Sequence, residues 1–186
     1  MQRQLKIRIL LLGLPLALMW VIEGLNTLAG HALDAYGIVP RTESGLAGIV
    51  WAPFLHGSIS HLASNSLPFL ILGWFVMLWR VSDFVAVSAI AALTAGLGTW
   101  LIAPSGTVHV GASGVIFGYL GFLMARGYFE RSLISILLSL AIGVLYGGLL
   151  FGVLPGQAGI SWQGHLFGFT GGVIAARLLA KERKTV

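Results

Sequence analysis

The sequence predicts an all-α membrane protein with six transmembrane helices in a single embedded domain, residues 1–186. Hydrophobic residues make up 57% of the chain and charged residues only 9%, whereas soluble domains carry about 25% charged residues. The mean hydropathy is +0.92, and a helix needs about 20 mostly apolar residues to cross a bilayer. Six apolar runs approach or reach that length, at about 9–28, 61–79, 84–102, 113–126, 133–153 and 162–179.

The first run follows a basic N-terminal segment and ends near two polar residues, Glu23 and Asn26. A basic segment before an apolar run is also typical of a signal peptide. Because the polar residues interrupt the end of the run and no clear cleavage site follows, a membrane span is the favoured interpretation. The long connection after it, residues 29–56, is expected to lie partly in the membrane interface.

The other runs are separated by residues that favour turns or carry charge. Arg80 and Asp83 separate the second run from the third, and the segment 104–106 (PSG) ends the third. The charged segment 126–131 separates the fourth run from the fifth, and Pro155 follows the fifth. Each break therefore supports the separation of two spans.

The basic residues predict the orientation of the chain in the membrane. With a cytoplasmic N terminus, all 11 lysines and arginines except Arg41 lie on the cytoplasmic side, as expected for inner loops. Both termini are then cytoplasmic, and the second, fourth and sixth runs all cross from outside to inside. The net charge of +5 reflects this topology, so no nucleic-acid partner is expected. The absence of cysteine excludes disulfides, thiol nucleophiles and cysteine-bound metals.

Polar residues at the outer ends of three runs form the candidate site. His61 and Asn65 share one face of the second helix, Ser113 begins the fourth run, and His165 lies near the start of the sixth. Because these runs are parallel in the predicted topology, their polar residues lie at one depth. Ionisable and hydrogen-bonding groups inside a membrane are costly and mark functional sites by default. A lone serine, histidine or asparagine more commonly has a structural role, but the combination favours a site.

Glycines near these residues predict close helix contact. Small residues recur every fourth position in the fourth and sixth runs, at Gly114, Gly118, Gly164, Gly168 and Gly172. Such spacing lets two helix backbones approach closely, which would bring Ser113 and His165 within hydrogen-bonding distance. Gly111 precedes a helix start, where free backbone N–H groups could stabilise an oxyanion.

Three motifs together resemble the rhomboid family of intramembrane serine proteases. The segment GASG at 111–114 is similar to the family's GxSG motif, and HLASN at 61–65 is similar to its HxxxN motif. The segment GHLFGFTGG at 164–172 resembles its catalytic-histidine segment. The resemblance covers the whole predicted six-helix core in family order. It implies a compact bacterial-type protein of the inner (plasma) membrane with its active site toward the non-cytoplasmic side.

The resemblance also implies roles for individual residues. Ser113 would be the nucleophile and His165 the general base and then acid. The Ser113 N–H, His61 and Asn65 would form the oxyanion hole. Phe117 matches an aromatic residue that packs against the catalytic imidazole. The supporting glycines would be Gly111, Gly114, Gly164 and Gly168. The resemblance implies no metal and no organic cofactor.

The first loop departs from the family pattern, which often has a Trp-Arg pair there; Arg41 and Trp51 are separate in this sequence. The hypothesis drawn from this loop is a contact between Glu23 and Arg41. His56 matches another family histidine and is interpreted as structural. On an ideal helix its side chain would point about 140° away from His61.

The favoured function is hydrolysis of peptide bonds in or near transmembrane segments of single-span or polytopic membrane proteins. The alternatives are an inactive rhomboid-like protein that binds transmembrane helices, a transporter or channel, and a membrane lipase or acyltransferase. A transporter fits less well because the inner halves of the second, fourth and sixth runs are apolar. The fifth run is the favoured gate for substrate. The sequence does not predict the natural substrate or the oligomeric state.

Overall fold

The computed structural model describes residues 2–157 and 159–184, with side chains described as far as residue 180. The described chain is helical and contains no strand, which confirms the all-α prediction. Lys181, Arg183 and Lys184, which entered the orientation argument, lie outside the described side chains. The α-helices are α1 (Gln2–Leu28), α2 (Glu43–Trp51), α3 (Ile59–Val76), α4 (Val81–Ile102), α5 (Ser113–Glu130), α6 (Leu133–Tyr146) and α7 (Trp162–Lys184). Short 3₁₀ helices cover Ala32–Tyr36, Ala52–Phe54 and Gly147–Val153.

Each of the six predicted runs falls on a helix, although the bounds differ. Helix α1 begins seven residues before the predicted run, and the fifth run is α6 followed by the 3₁₀ helix Gly147–Val153. Among the described residues, four segments are long and apolar enough to cross a membrane: Gln2–Leu28, Ile59–Val76, Val81–Ile102 and Leu133–Val153. The protein is therefore a membrane-embedded helical bundle. Helix α5, which begins at Ser113, and helix α7, which carries His165, are not among these four segments.

Helix α5 occupies the centre of the bundle and packs against α3, α4, α6 and α7. Its buried residues include Phe117, Tyr119 and Phe122. A helix that is surrounded by other helices needs less apolar surface than one that faces lipid, which explains the lower hydropathy of α5. This central helix begins at Ser113.

Glycines bring α5 and α7 into backbone contact. A methyl group at Gly168 would overlap the carbonyl oxygen of Gly114, and one at Gly172 would overlap that of Gly118. A methyl group at Gly118 would also overlap Ala91 of α4. The close approach predicted from the glycine spacing is present, and it places the start of α7 beside the start of α5.

Arg41 attaches the first loop to the end of α4. Its Nη1 donates to the carbonyl oxygen of Leu101 at 3.0 Å, and its Nη2 donates to Ser105 Oγ at 2.6 Å. The expected contact between Glu23 and Arg41 is therefore wrong. The last carbonyls of a helix lack intrahelical donors and carry partial negative charge, so the end of α4 satisfies this guanidinium without a carboxylate.

Candidate active site

The backbone just before α5 turns sharply and passes against the second predicted motif. Gly111 has a backbone φ of +120°, which residues other than glycine rarely adopt. A methyl group at this position would lie 2.7 Å from Cε1 of His61. Gly111 also donates its N–H to the carbonyl oxygen of Ala52 at 2.8 Å. Gly111 is thus needed both for the turn and for the approach of His61 to the start of α5.

Ser113 and His165 form a hydrogen-bonded pair across α5 and α7. The distance from Ser113 Oγ to His165 Nε2 is 2.8 Å, and His165 Nδ1 lies 2.9 Å from the carbonyl oxygen of Gly152. A carbonyl oxygen can only accept, so Nδ1 carries the proton of the neutral ring and Nε2 accepts from the serine hydroxyl. The pair is therefore arranged for proton transfer from serine to histidine.

The imidazole of His165 is held between two neighbours. The ring of Phe117, one turn after Ser113, stacks on it with centroids 4.0 Å apart and planes 8° apart. A methyl group at Gly152 would lie 3.0 Å from both His165 Nδ1 and Phe117 Cζ. The 3₁₀ helix that follows α6 thus closes one side of the ring, while Phe117 covers its face.

The four polar residues of the candidate site line one cavity of about 380 Å³. His61 and Asn65 come from α3, Ser113 from α5 and His165 from α7. Asn65 is 8% exposed, and its buried Nδ2 has no hydrogen-bond partner among the described residues. Ser64, also on α3, contributes an exposed hydroxyl to the cavity and bonds to the His61 carbonyl oxygen at 2.8 Å. Asn65, whose amide donor has no partner among the described residues, therefore lines the same cavity as the serine–histidine pair.

Comparison with known proteins identifies the family of this chain. The family model of the Rhomboid domain matches residues 43–182. The chain belongs to the rhomboid family. An uncharacterised protein of Mycobacterium tuberculosis is 46% identical over 177 residues, which cover 90% of this chain and 74% of that protein. An uncharacterised protein of Mycobacterium leprae is 42% identical over 179 residues, or 91% of this chain and 71% of that protein.

A more distant relative carries a functional name. YdcA of Bacillus subtilis, named as a candidate rhomboid protease, is 32% identical over 133 residues, which cover 70% of this chain and 65% of that protein. The Ser113–His165 pair and the cavity around it thus lie within a rhomboid domain.

His56 lies beside the rhomboid motifs but not in the orientation expected from the sequence. It precedes α3, so the helical angle used for the expectation does not apply, and the prediction that it points away from His61 is wrong. The two rings meet edge to face with centroids 5.1 Å apart. His56 Nε2 accepts the N–H of Ala112 at 3.3 Å. Burial, and then the proximity of His61, lowers the pKa of His56 to about 4, so the ring is neutral near pH 7 and remains an acceptor.

Sequence reasoning missed His109, which connects the loops around the site. Its Nδ1 lies 2.9 Å from Ser161 Oγ, and its Nε2 lies 2.8 Å from Thr107 Oγ1. The carbonyl oxygen of Ser161 accepts the N–H of His165 at 3.1 Å, so this network positions the first turn of α7. One signal was present: His109 is the only titratable side chain in the loop 103–110.

Gly152 was also missed, and no sequence signal identifies it, because it acts through its carbonyl oxygen. Among the side chains that the structure describes, within residues 2–157 and 159–180, no cluster of three or more histidines, aspartates or glutamates is arranged to bind a metal ion.

Proposed function

We propose that this rhomboid protein is a serine endopeptidase that hydrolyses peptide bonds in or next to transmembrane segments of membrane proteins. The observation that carries the proposal is the 2.8 Å contact between Ser113 Oγ and His165 Nε2, with His165 Nδ1 bonded to the Gly152 carbonyl oxygen. Nucleophile, base and orienting group are thereby aligned in the order that acyl transfer requires.

The reaction follows from this alignment. Ser113 Oγ attacks the scissile carbonyl carbon while its proton moves to His165 Nε2. The imidazolium then gives the proton to the leaving amine, which produces an acyl-enzyme. A water molecule, deprotonated by the same nitrogen, hydrolyses the ester and releases the second product. Throughout, the bond from Nδ1 to Gly152 holds the ring in one tautomer.

The oxyanion of each tetrahedral intermediate needs donors on the side of Ser113 that faces α3. Ser113 begins α5, and the first N–H groups of a helix have no intrahelical acceptor. The buried Asn65 Nδ2 has no partner among the described residues, and His61 lines the same cavity. In this proposal the Ser113 N–H, Asn65 and His61 stabilise the oxyanion, an effect worth about 10²–10³ in kcat for a single donor.

The cavity suggests how a substrate reaches the serine. It lies between α3 and the 3₁₀ helix after α6, and small residues such as Gly148 and Gly152 line one side. Val144 and Leu145, near the end of α6, are 85% and 73% exposed, so this face of α6 points away from the bundle. We therefore place substrate access between α3 and α6. A transmembrane substrate must unwind locally to present its carbonyl, which favours helix-destabilising residues near a small residue at the cleavage point.

We place the enzyme in the bacterial plasma membrane as a six-span domain with both termini in the cytoplasm. The bacterial relatives and the distribution of basic residues support this placement. The site then lies toward the non-cytoplasmic side, because Ser113 and His165 are near the starts of α5 and α7.

The test uses the purified full chain in proteoliposomes with a panel of single-span substrates. Wild type should cleave at least one substrate and react with a fluorophosphonate at Ser113, whereas Ser113→Ala and His165→Ala should do neither. Ser64→Ala is the matched control, because it removes another cavity hydroxyl and should keep both properties. Cleavage by Ser113→Ala would refute the mechanism, labelling without proteolysis would favour a lipase, and absence of both in wild type would favour an inactive binder or a transporter.

A further inference from the structure

Glu23 is an acid buried in the bundle with no hydrogen-bond partner among the described residues. Helix α1 has four buried residues on one face, Leu12, Met19, Glu23 and Asn26. Glu23 is 0% exposed, and neither carboxyl oxygen has a hydrogen-bond partner among the described residues. Burial of an unpaired acid costs several kcal/mol, so stability alone does not explain a carboxyl group at this position. Acids within membrane helices mark functional sites by default.

Asn26, one turn after Glu23, shows where this face of α1 points. Its Nδ2 donates to Asp34 Oδ1 at 2.9 Å and to the carbonyl oxygen of His56 at 3.3 Å. Its Oδ1 accepts the N–H of Leu33 at 2.9 Å. The polar end of the face is therefore attached to the segment that enters α3.

That segment leads directly to the oxyanion side of the site. The ring of His56 contacts the ring of His61 and accepts the N–H of Ala112, the residue before Ser113. On α1, three residues before Glu23, Trp20 Nε1 donates to Ser66 Oγ of α3 at 3.2 Å, so contacts with residues 56 and 66 flank Glu23 on either side. The buried Glu23 therefore lies on the stretch of α1 that packs against the part of α3 that carries His61.

We propose that Glu23 is a positioning residue of the oxyanion hole: its buried carboxyl group, next to the part of α3 that carries His61, favours the charge distribution in which that ring donates to the oxyanion. The inference rests on the proposed protease function. In a catalytic triad an acid orients the histidine, whereas here the Gly152 carbonyl oxygen takes that place. In this proposal the acid, Glu23, acts on His61 of the oxyanion hole instead. When negative charge develops on the substrate oxygen, His61 becomes more positive, and a carboxyl group in a low-dielectric interior stabilises that change more than an amide does.

Three other titratable groups face this part of the structure. The side chain of Asp34 is 26% exposed and lies 3.8 Å from His31. His56 is buried between α1 and His61. Because Asp34 is partly exposed, water screens its electrostatic interactions more than those of the buried Glu23. Asp34→Asn is therefore a matched control, because it replaces one carboxyl group by an amide at a more exposed site.

The test compares Glu23→Gln, Glu23→Asp, Asp34→Asn and Met19→Leu in proteoliposomes. Glu23→Gln should lower kcat about tenfold or more with little change in KM, because Glu23 does not touch the substrate. Its melting temperature should be equal to or above that of wild type, because an unpaired acid is no longer buried. Glu23→Asp should recover part of the loss, and the two controls should stay within about twofold of wild type.

A second measurement is independent of turnover. The ring nitrogen chemical shifts of His61, measured by NMR on histidine-labelled protein, should change in Glu23→Gln but not in Asp34→Asn. A lower melting temperature with unchanged kcat per labelled Ser113, or His61 signals that do not respond, would show that Glu23 is merely structural and overturn the inference. If the wild type neither cleaves nor reacts at Ser113, the protease function fails and this role fails with it; a wild type that does both, beside an equally active Glu23→Gln, overturns only the inference.

Discussion

Replacement of Gly168 by alanine tests whether backbone contact between α5 and α7 sets the geometry of the site. The added methyl group would overlap the carbonyl oxygen of Gly114, and the two helices would have to separate by about 1 Å or more to relieve the overlap. Overpacking of this kind costs about 1–3 kcal/mol of stability. Because Gly114 follows Ser113 and Gly168 lies less than one turn from His165, the separation also lengthens the hydrogen bond between serine and histidine.

The expected loss of activity is larger than the loss of stability suggests, since a misplacement of about 1 Å can cost about 10²-fold in rate. Gly172→Ala produces a similar overlap one turn further from the site, with Gly118. It should therefore lower the melting temperature by a similar amount but reduce kcat less. Both variants are assayed for melting temperature in detergent and for the rate of fluorophosphonate labelling of the folded fraction.

Gly13→Ala is the control, because a methyl group at Gly13 would have no neighbour within 4 Å. It should behave like wild type in both assays. If Gly168→Ala had the same melting temperature and labelling rate as Gly13→Ala, this would show that close packing of α5 on α7 does not position Ser113 and His165.

Three further predictions concern single residues around the site. The pKa of His56 is lowered from 6.5 to about 4 in the folded protein. As the pH falls from 6.5 to 4, His56 therefore becomes protonated in the unfolded chain before it does in the folded protein, and the free energy of unfolding decreases. At about 1.4 kcal/mol per unit this amounts to about 3 kcal/mol. His56→Gln, which keeps an acceptor for Ala112 but does not titrate, should show a flatter loss of melting temperature between pH 7 and pH 4, and an identical slope would contradict the assignment. Asn65→Ala should lower kcat about 10²–10³-fold with little effect on KM in steady-state cleavage assays; an unchanged kcat would remove Asn65 from the oxyanion hole. Phe117→Leu removes the ring stacked on His165, and since such pairs contribute about 0.5–1.5 kcal/mol, kcat should fall by up to about tenfold, whereas a loss only in KM would indicate a role in substrate binding.

The helices and the convergence of the polar residues could be predicted from the sequence because a membrane permits few alternatives. Apolar runs of sufficient length form helices in lipid, and each predicted run lies on a helix. Polar residues are scarce in such runs, so Ser113 and His165 were conspicuous, and the glycine spacing indicated which helices approach closely. These inferences depend on residue types that leave a clear pattern in the sequence.

Other features could not be predicted because they depend on backbone groups, or on which of several possible partners a side chain meets in the folded protein. Helix α2 is short and carries no membrane-span signal. Arg41 was paired with an acid in the prediction, but helix-end carbonyls, which have no sequence signature, satisfy it instead. The orientation of His56 was inferred from a helix that begins only after it.

The acceptor that orients His165 is a peptide carbonyl, that of Gly152. A carbonyl oxygen does not titrate in the range of biological pH, so acidification does not remove this orienting group as it would an aspartate. Substitution of a side chain does not delete it either. The loss of activity at low pH should therefore reflect the histidines of the site and the residues that surround them. An acidic medium that would protonate the aspartate of a catalytic triad leaves the hydrogen bond from His165 Nδ1 to the Gly152 carbonyl oxygen in place.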